Sequence, residues 1–360
     1  MKTEANARQT VHRHAARQAK LKYVSDNAPG IRRVKRGGGV AHVDARGRPV
    51  RHAATLGRIR SLVIPPAWTD VWICADPNGH IQAIGRDARG RKQFRYHARW
   101  SAIRDESKYE RVIEFAKALP KIRSRVARDL KRSGLPREKV LAGVVSLLEK
   151  TLIRVGNDEY AKSNSHFGLT TIRDHHAKVA GGNITFRFVG KSGVKREVDL
   201  ESPVLARIVK KCQDLPGQEL FAYVDGDGKP RDVKSSDVNQ YLREIAGDEF
   251  TAKDFRTWAG TVLAATALRE FEAFDSQSQA KKNIVGAIER VAQRLGNTRS
   301  VCRKCYVHPA ILESYMDGTM VRTIQKRADS EMKHLSRLPA AEAAVLALLQ
   351  RQLKRTRPAQ

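Results

Sequence analysis

Apolar and polar positions change rhythm twice along this chain. From Ile31 to Tyr96, short apolar runs such as Val71-Trp-Ile-Cys-Ala75 and His80-Ile-Gln-Ala-Ile84 are cut by turn residues at Gly37-Gly-Gly39, Gly47-Arg-Pro49, Pro65-Pro66 and Asp76-Pro-Asn-Gly79. Runs this short, bounded by Gly and Pro, predict strands, with a hairpin turn at Asp76–Gly79. Near Asp105 the period lengthens. Tyr109, Val112, Ile113 and Ala116 keep the i, i+3, i+4, i+7 spacing of a helix. That helix is expected to end at Pro120, which lacks an amide donor. A second is expected from Arg123 to Lys131, broken by Ser133-Gly-Leu-Pro136. Pro136 suits the first turn of a third, whose stripe is Val140, Leu141, Val144, Leu147, Leu148 and Leu152, with Arg154 towards its end.

The two-residue period then returns. Ile184, Phe186 and Phe188 alternate with Thr185, Arg187 and Val189 between Gly181-Gly-Asn183 and Gly190-Lys-Ser-Gly193. This predicts a small antiparallel sheet with Lys191 lifted on a tight turn. After Ser202 the chain reads as helical, with start signals at Ser202-Pro203, Ser236-Asp237 and Thr251, the last opening a helix that holds Arg256. Asp225-Gly-Asp-Gly228 is a plain turn, because a calcium loop starting there would have Pro230 sixth and Ser236 twelfth. The fold class is α+β. The expected parts are a basic flexible arm (1–20), a small β-rich domain (21–104), a mainly α-helical domain containing the small sheet (105–325) and a charged helical tail (326–360). The boundary is placed between Ile103 and Ser107.

Composition narrows the partners. The chain has 360 residues, enough for two cores, and Lys+Arg 68 against Asp+Glu 38 gives a net charge of +30. Such an excess implies a polyanion, foremost nucleic acid, but leaves open a basic binding protein without chemistry. Trp258–Leu268, the longest strongly apolar uncharged run, falls well short of the ~20 residues of a membrane helix. Met1–Arg36 carries ten Lys/Arg and two acids, so it lacks a signal core. Four cysteines, Cys74, Cys212, Cys302 and Cys305, make no disulfide framework, and a reducing, cytoplasmic compartment is expected. Cys302-x-x-Cys305 has no second such pair and only His308 as a nearby extra ligand. No metal or cofactor is expected.

The candidate chemistry centres on Leu295–Pro309. Tyr306 follows Arg299, Arg303 and Lys304 there, with Asn297 upstream. A phenol ionises near pH 10, so cations are needed to favour the phenolate. The same cations draw in a phosphodiester. Arg154, Lys191 and Arg256 supply the remaining roles of metal-free phosphodiester cleavage. Arginine keeps its proton and matches two phosphate oxygens; a lysine among cations can act as an acid; tyrosine can form a covalent phosphotyrosine. Each has a plainer reading in isolation: Tyr306 half-buried, Arg154 capping helix carbonyls, Lys191 an ordinary hairpin residue, Arg256 paired with Asp254 or Glu249. His175-His176 has no evident ligand partner and is left as surface or DNA-facing.

Taken in order, these pieces resemble the type IB DNA topoisomerases, in particular the short poxvirus-like form found in bacteria. The resemblance is carried by Ile153-Arg-Val-Gly-Asn-Asp-Glu-Tyr160, Phe167-Gly-Leu-Thr-Thr171, Phe186-Arg-Phe-Val-Gly-Lys191, Lys253-Asp-Phe-Arg256, Leu295-Gly-Asn297 and Cys305-Tyr306. In the small domain, Ile64-Pro-Pro-Ala-Trp68 and Gly85–Tyr96 match too; together they cover roughly 25–325. The resemblance implies that Tyr306 attacks one strand of duplex DNA to give a 3′-phosphotyrosyl link. Arg154 and Arg256 would hold the non-bridging oxygens and Lys191 would protonate the 5′-oxygen. Lys253 would add a further proton-donating or phosphate contact. Asn297 stands where viral and eukaryotic members carry His; its amide can donate but not titrate, so a pH profile without a histidine limb is expected. Gln93, Phe94, Tyr96 and Tyr160 match DNA-contacting positions. A monomer clamping double-stranded DNA is implied, relaxing supercoils without ATP or metal. The rivals are a tyrosine recombinase, which usually shows His-x-x-Arg where this chain has Lys253-x-x-Arg256, and a non-catalytic basic DNA-binding protein.

Overall fold

The computed structural model describes residues 13–158, 161, 164–247, 250–271, 274–320 and 338–356, without the side chains of 104–108 and 356. They divide into two compact units, Met1–Glu110 and Arg111–Gln360.

The first unit is built on β1 (Gly30–Arg36), β2 (Gly39–Val43), α1 (Ala53–Ser61), β3 (Thr69–Cys74), β4 (Ile81–Arg86) and β5 (Lys92–Tyr96). The strands form one sheet in the order β2-β1-β3-β4-β5, each neighbouring pair antiparallel. Alternate residues point to opposite faces. Val71, Ile73 and Ala83 therefore meet Ile31 and the α1 residue Ile59, while Trp72, Cys74 and Ile84 cluster on the other side. The Trp72 indole donates to the Ala28 carbonyl at 3.0 Å. It lies over Gly30, where a Cβ would come within 2.1 Å of the ring nitrogen. The basic arm needs correction at its inner end: Ala16 and Ala19 are buried with Leu21 and Trp100, because two small apolar residues one helical turn apart present a packing face.

The helix α2 (Ala98–Asp129) contains Pro120 rather than ending there, and the division between the units falls inside it. Ala116 and Leu119 before the proline and Ile122 and Val126 after it are all buried, so the apolar stripe stays in register across the missing hydrogen bond. There follow α3 (Arg137–Thr151), β6 (Ala177–Ala180), β7 (Asn183–Val189), β8 (Lys195–Glu201), α4 (Pro203–Gln213), β9 (Ala222–Val224), β10 (Pro230–Asp232) and α5 (Ser235–Ala246). The chain continues through α6 (Ala252–Glu270), α7 (Gln277–Leu295), α8 (Arg299–Cys305), α9 (Pro309–Met316) and α10 (Ala340–Thr356). The strands β6-β7-β8 form the expected sheet, with Ile184, Phe186 and Phe188 turned into the core. Asp225 closes the β9–β10 turn, its carboxylate accepting from the amides of Asp227 and Lys229.

Helix α6 is the centre of the second unit. Its apolar run has no polar face, and it is buried on most sides, from Phe255 and Trp258 to Ala264 and Leu268. No helix among the described residues is long and apolar enough to cross a membrane. The charged tail also needs correction. Ala343, Val345, Leu346, Leu348 and Leu349 of α10 lie in the main core, since its Ala/Leu positions recur at helical spacing. Glu342 receives a two-pronged hydrogen bond from Arg123, at 2.9 and 2.7 Å.

Candidate active site

The second unit brings the segment after α3, the β7–β8 turn, the first turns of α6 and the end of α8 to one cleft of about 380 Å3, and Asn297 at the end of α7 is not among its lining residues. Arg154, Lys191, Lys253, Arg256 and Tyr306 all line it.

Each side chain is delivered by a local device. Helix α3 stops when Leu152 adopts φ 57°, and its amide closes on the Leu148 carbonyl. The chain then runs beside 167–170: Leu169 donates to the Arg154 carbonyl at 2.9 Å, and Gly168 approaches so closely that a Cβ would lie 2.6 Å from that oxygen. Lys191 sits exposed on the turn closed by the Gly190 amide and the Val194 carbonyl at 2.8 Å. Helix α6 begins at Thr251, whose amide and hydroxyl donate to Asp254 at 2.8 and 2.9 Å. Asp254 also takes Arg111 at 3.0 Å, so the plain pairing of Arg256 with Asp254 does not occur. Glu249 lies outside the described residues.

Arg256 is 3% exposed. It donates to the carbonyls of Leu152 and Leu295, which end α3 and α7, and its guanidinium carbon lies 5.1 Å from the centre of the Tyr306 ring. Asn297 follows Gly296, whose φ of 60° ends α7; the Asn297 side-chain oxygen accepts from Arg154. Tyr306 terminates α8, its amide on the Cys302 carbonyl at 2.9 Å. Its own carbonyl accepts from Thr261 at 3.3 Å, and Gly260 leaves the room that this approach needs.

Burial would raise the Tyr306 phenol, but the neighbouring Arg256, with Arg154 and Lys253, outweighs burial and holds it below its ordinary value. Burial, and then the Arg154 charge, push Arg256 down to about 10, so it remains a cation at neutral pH. No carboxylate forms an ion pair with Arg154, Lys253 or Arg256 among the described residues. Three buried polar atoms here have no partner: Arg256 Nε, the Asn297 side-chain amide nitrogen and the Thr170 hydroxyl. The uncompensated cations Arg154, Lys253 and Arg256 around the cleft suit an anion with several oxygens.

Arg196 is the residue that motif reading missed. Its guanidinium fills the place where a Gly296 side chain would be, with Nη1 at 2.2 Å from the Cβ position, and it donates to the Arg294 carbonyl at 3.3 Å. Burial and then the charge of Arg154 lower its pKa. The signal lay in the period of β8, which puts Arg196 on the same face as buried Val198. His166 and Asn157 also line the cleft and were not singled out. Cys302 is a buried thiol that burial pushes up to about 11, and its carbonyl holds Tyr306 and Val307. Among the described residues no group of three or more His, Cys, Asp or Glu suits a metal ion. His176 accepts from the Arg173 amide and packs on Phe167, and burial pushes it down to about 4.

In the first unit, edge strand β5 leaves Phe94 39% and Tyr96 38% exposed, their rings stacked at 5.8 Å. Their register partners Ile84 and Ile81 put them on the face of the Trp72, Cys74 and Ile84 cluster, at its exposed edge, and the Tyr96 ring also stacks on Trp100. Gln93 lies on the opposite face and donates to Asp87 at 2.9 Å. Tyr160 lies outside the described residues.

Residues 97–335 match the family model described as eukaryotic DNA topoisomerase I, catalytic core, and residues 39–87 match the bacterial DNA topoisomerase IB N-terminal domain. The chain belongs to the type IB DNA topoisomerase family. It is 35% identical over 270 residues to the DNA topoisomerase 1B of Acanthamoeba polyphaga mimivirus, covering 73% of this chain and 80% of that protein. With the DNA topoisomerase 1B of vaccinia virus (strain Copenhagen) the identity is 23% over 253 residues, covering 69% and 76%. With the DNA topoisomerase 1 of Mycosarcoma maydis it is 26% over 247 residues, 62% of this chain but 24% of the other. As a type IB topoisomerase the protein is an isomerase acting on DNA, which accounts for the net charge of +30. Gln93, Phe94 and Tyr96 fall between the two matched segments.

Proposed function

We propose that the cleft relaxes supercoiled duplex DNA by transesterification at Tyr306. The phenolate oxygen attacks a backbone phosphorus, forming a tyrosyl O–P bond as the bond to the 5′-oxygen breaks. Lys191 gives its proton to that leaving oxygen and recovers it on religation. Arg154 and Arg256 take the non-bridging oxygens as charge builds, with the Asn297 amide as a neutral donor and Lys253 as a further cation. One phosphoester replaces another, so the 3′-phosphotyrosine stores the bond energy while the nicked strand rotates. ATP and metal have no step to perform. The observation that carries this reading is Tyr306 against the Arg256 guanidinium, beside an Asn297 amide nitrogen with no partner.

The exposed Phe94 and Tyr96 face suits contact with base edges and thymine methyls in the major groove. Gln93 reaches DNA only by leaving Asp87. The protein acts as a monomer on DNA in the bacterial nucleoid.

Relaxation of a supercoiled plasmid in EDTA, without ATP, tests the proposal by comparing wild type with Tyr306→Phe. Wild type is expected to relax both supercoil signs and the variant neither. A recombinase would require paired target sites, and a packaging protein would be indifferent to the substitution.

A further inference from the structure

Two site residues are each preceded by a glycine that meets the same side chain. Arg196 pairs in register with Phe188 on the neighbouring strand, and its stem crosses Gly190, where a Cβ would lie 3.4 Å from Arg196 Cγ. Its guanidinium then covers Gly296 and donates to the Arg294 carbonyl at the end of α7. Gly190 precedes Lys191, and Gly296 precedes Asn297. One side chain therefore spans from the β7–β8 turn to the α7–α8 junction.

The two ends of that span differ in setting. The end of α7 is tied down: the Leu295 carbonyl takes Arg256, the Asn297 side chain takes Arg154, and the Asn297 amide donates to the Ala292 carbonyl at 3.0 Å. The turn stands out from the core. Lys191, Ser192, Gly193 and Val194 are all exposed, and Ser192 and Gly193 both hold a positive φ, 68° and 76°. A proton donor must be held to within about 0.5 Å of its productive place, which calls for a brace from a firmer element. Arg196 is half-buried beside Arg154 and Arg294 and forms no ion pair among the described residues; burial and then those charges lower its pKa. The Arg294 carbonyl and the negative end of the α7 dipole favour a cation there. Arg196 does not line the cleft, so it acts through its neighbours rather than on a phosphate.

We propose that Arg196 is a positioning residue for strand cleavage, bracing the turn that carries Lys191 against the end of α7. This role rests on Lys191 being the acid of the reaction proposed above. Without the brace, Lys191 leaves the place from which its proton reaches the departing 5′-oxygen, while Tyr306, Arg154 and Arg256 keep theirs.

The test is single-turnover cleavage of a duplex with an ordinary phosphodiester, and of the same duplex with a 5′-bridging sulfur at the bond that wild type cleaves. In both, the Tyr306 O–P bond forms as the bond to the leaving atom breaks, but sulfur leaves as a thiolate and needs no proton. Lys191→Ala is expected to slow the ordinary substrate about a hundredfold or more and the sulfur substrate by no more than about threefold. Arg196→Ala is expected to follow the same pattern, about thirtyfold against at most about threefold. Near-normal cleavage of the sulfur substrate shows that this variant is folded. Arg196→Lys keeps a stem over Gly190 and a donor for the Arg294 carbonyl, and should recover most of the loss. An Arg196→Ala defect of equal size on both substrates, or a defect on neither, overturns the proposal while the Lys191 pattern stands. If Lys191→Ala slows both substrates alike or neither, the acid assignment itself fails, and the role of Arg196 fails with it.

Discussion

At the scale of single residues, Tyr306 is held between burial, which disfavours its phenolate, and the Arg256 cation, which favours it. The net direction is downward, so the phenolate fraction rises with pH and saturates earlier than for a free tyrosine. Single-turnover cleavage is therefore expected to increase with pH and level off below about 10, the ordinary phenol value. Arg256→Gln leaves burial unopposed by its charge. The limb should move up, and cleavage at pH 7.5 should fall by about a hundred- to a thousandfold. An unchanged limb in that variant contradicts the assignment. Asn297 predicts a different signature: Asn297→His should add an inflection near pH 6.5 that the wild type lacks. His166 also lines the cleft, so His166→Gln is the control and should leave the wild-type profile unaltered. Tyr306, Arg154, Lys191 and Arg256 could be proposed as a set because their chemistry restricts residue type and their order is distinctive, and the fold brings these four to one cleft. Arg196 could not be, because it acts on Gly296 and the Arg294 carbonyl rather than through a motif of its own.

Elements hold these residues through their ends. Arg256 is fixed by the carbonyls that finish α3 and α7, and Tyr306 by the last turn of α8. Gly296→Ala places a methyl group against the Arg196 guanidinium at a φ of 60°, a conformation that disfavours side chains. Cleavage should fall at least tenfold while the melting temperature shifts only a few degrees; an unaffected rate would show that this junction does not position Asn297. Away from the cleft, Asp129 has a fully buried carboxylate that accepts from Arg125 at 2.6 Å, Arg132 at 3.0 Å and Tyr241 at 2.8 Å. Burial would raise its pKa, but these donors lower it. Its contribution to stability is therefore present above the unfolded carboxyl pKa near 4 and is lost as pH falls through the depressed folded value. Asp129→Ala should cost about 3–5 kcal/mol in urea unfolding at pH 7. The β7 alternation and the α3 stripe were readable because one face of each is buried. Pro120 misled because a local rule about one hydrogen bond yielded to an apolar stripe that continues on both sides. The α10 stretch read as a tail because its charges are local, whereas the core that receives its apolar face comes from distant sequence.

For the whole molecule, the net charge of +30 concerns affinity rather than fold. Binding of the Tyr306→Phe variant to a short duplex, followed by fluorescence anisotropy, should weaken linearly in log–log form with added salt. If about six phosphates are contacted, affinity should drop roughly a thousandfold between 50 and 200 mM salt. A flat response would remove the electrostatic basis of DNA capture. The family was legible because several motifs spread over most of the chain occur in one order, which no single spacing reproduces. The central claim is that the Tyr306 oxygen takes over a DNA strand end. It is tested most directly by mixing the protein with a duplex whose cleaved end diffuses away, denaturing, digesting and sequencing the DNA-linked peptide by mass spectrometry. The account predicts a 3′-phosphate on the Tyr306 peptide and a free 5′-hydroxyl on the released fragment. A link at another residue, a 5′-linked strand, or an adduct that persists in Tyr306→Phe would contradict it.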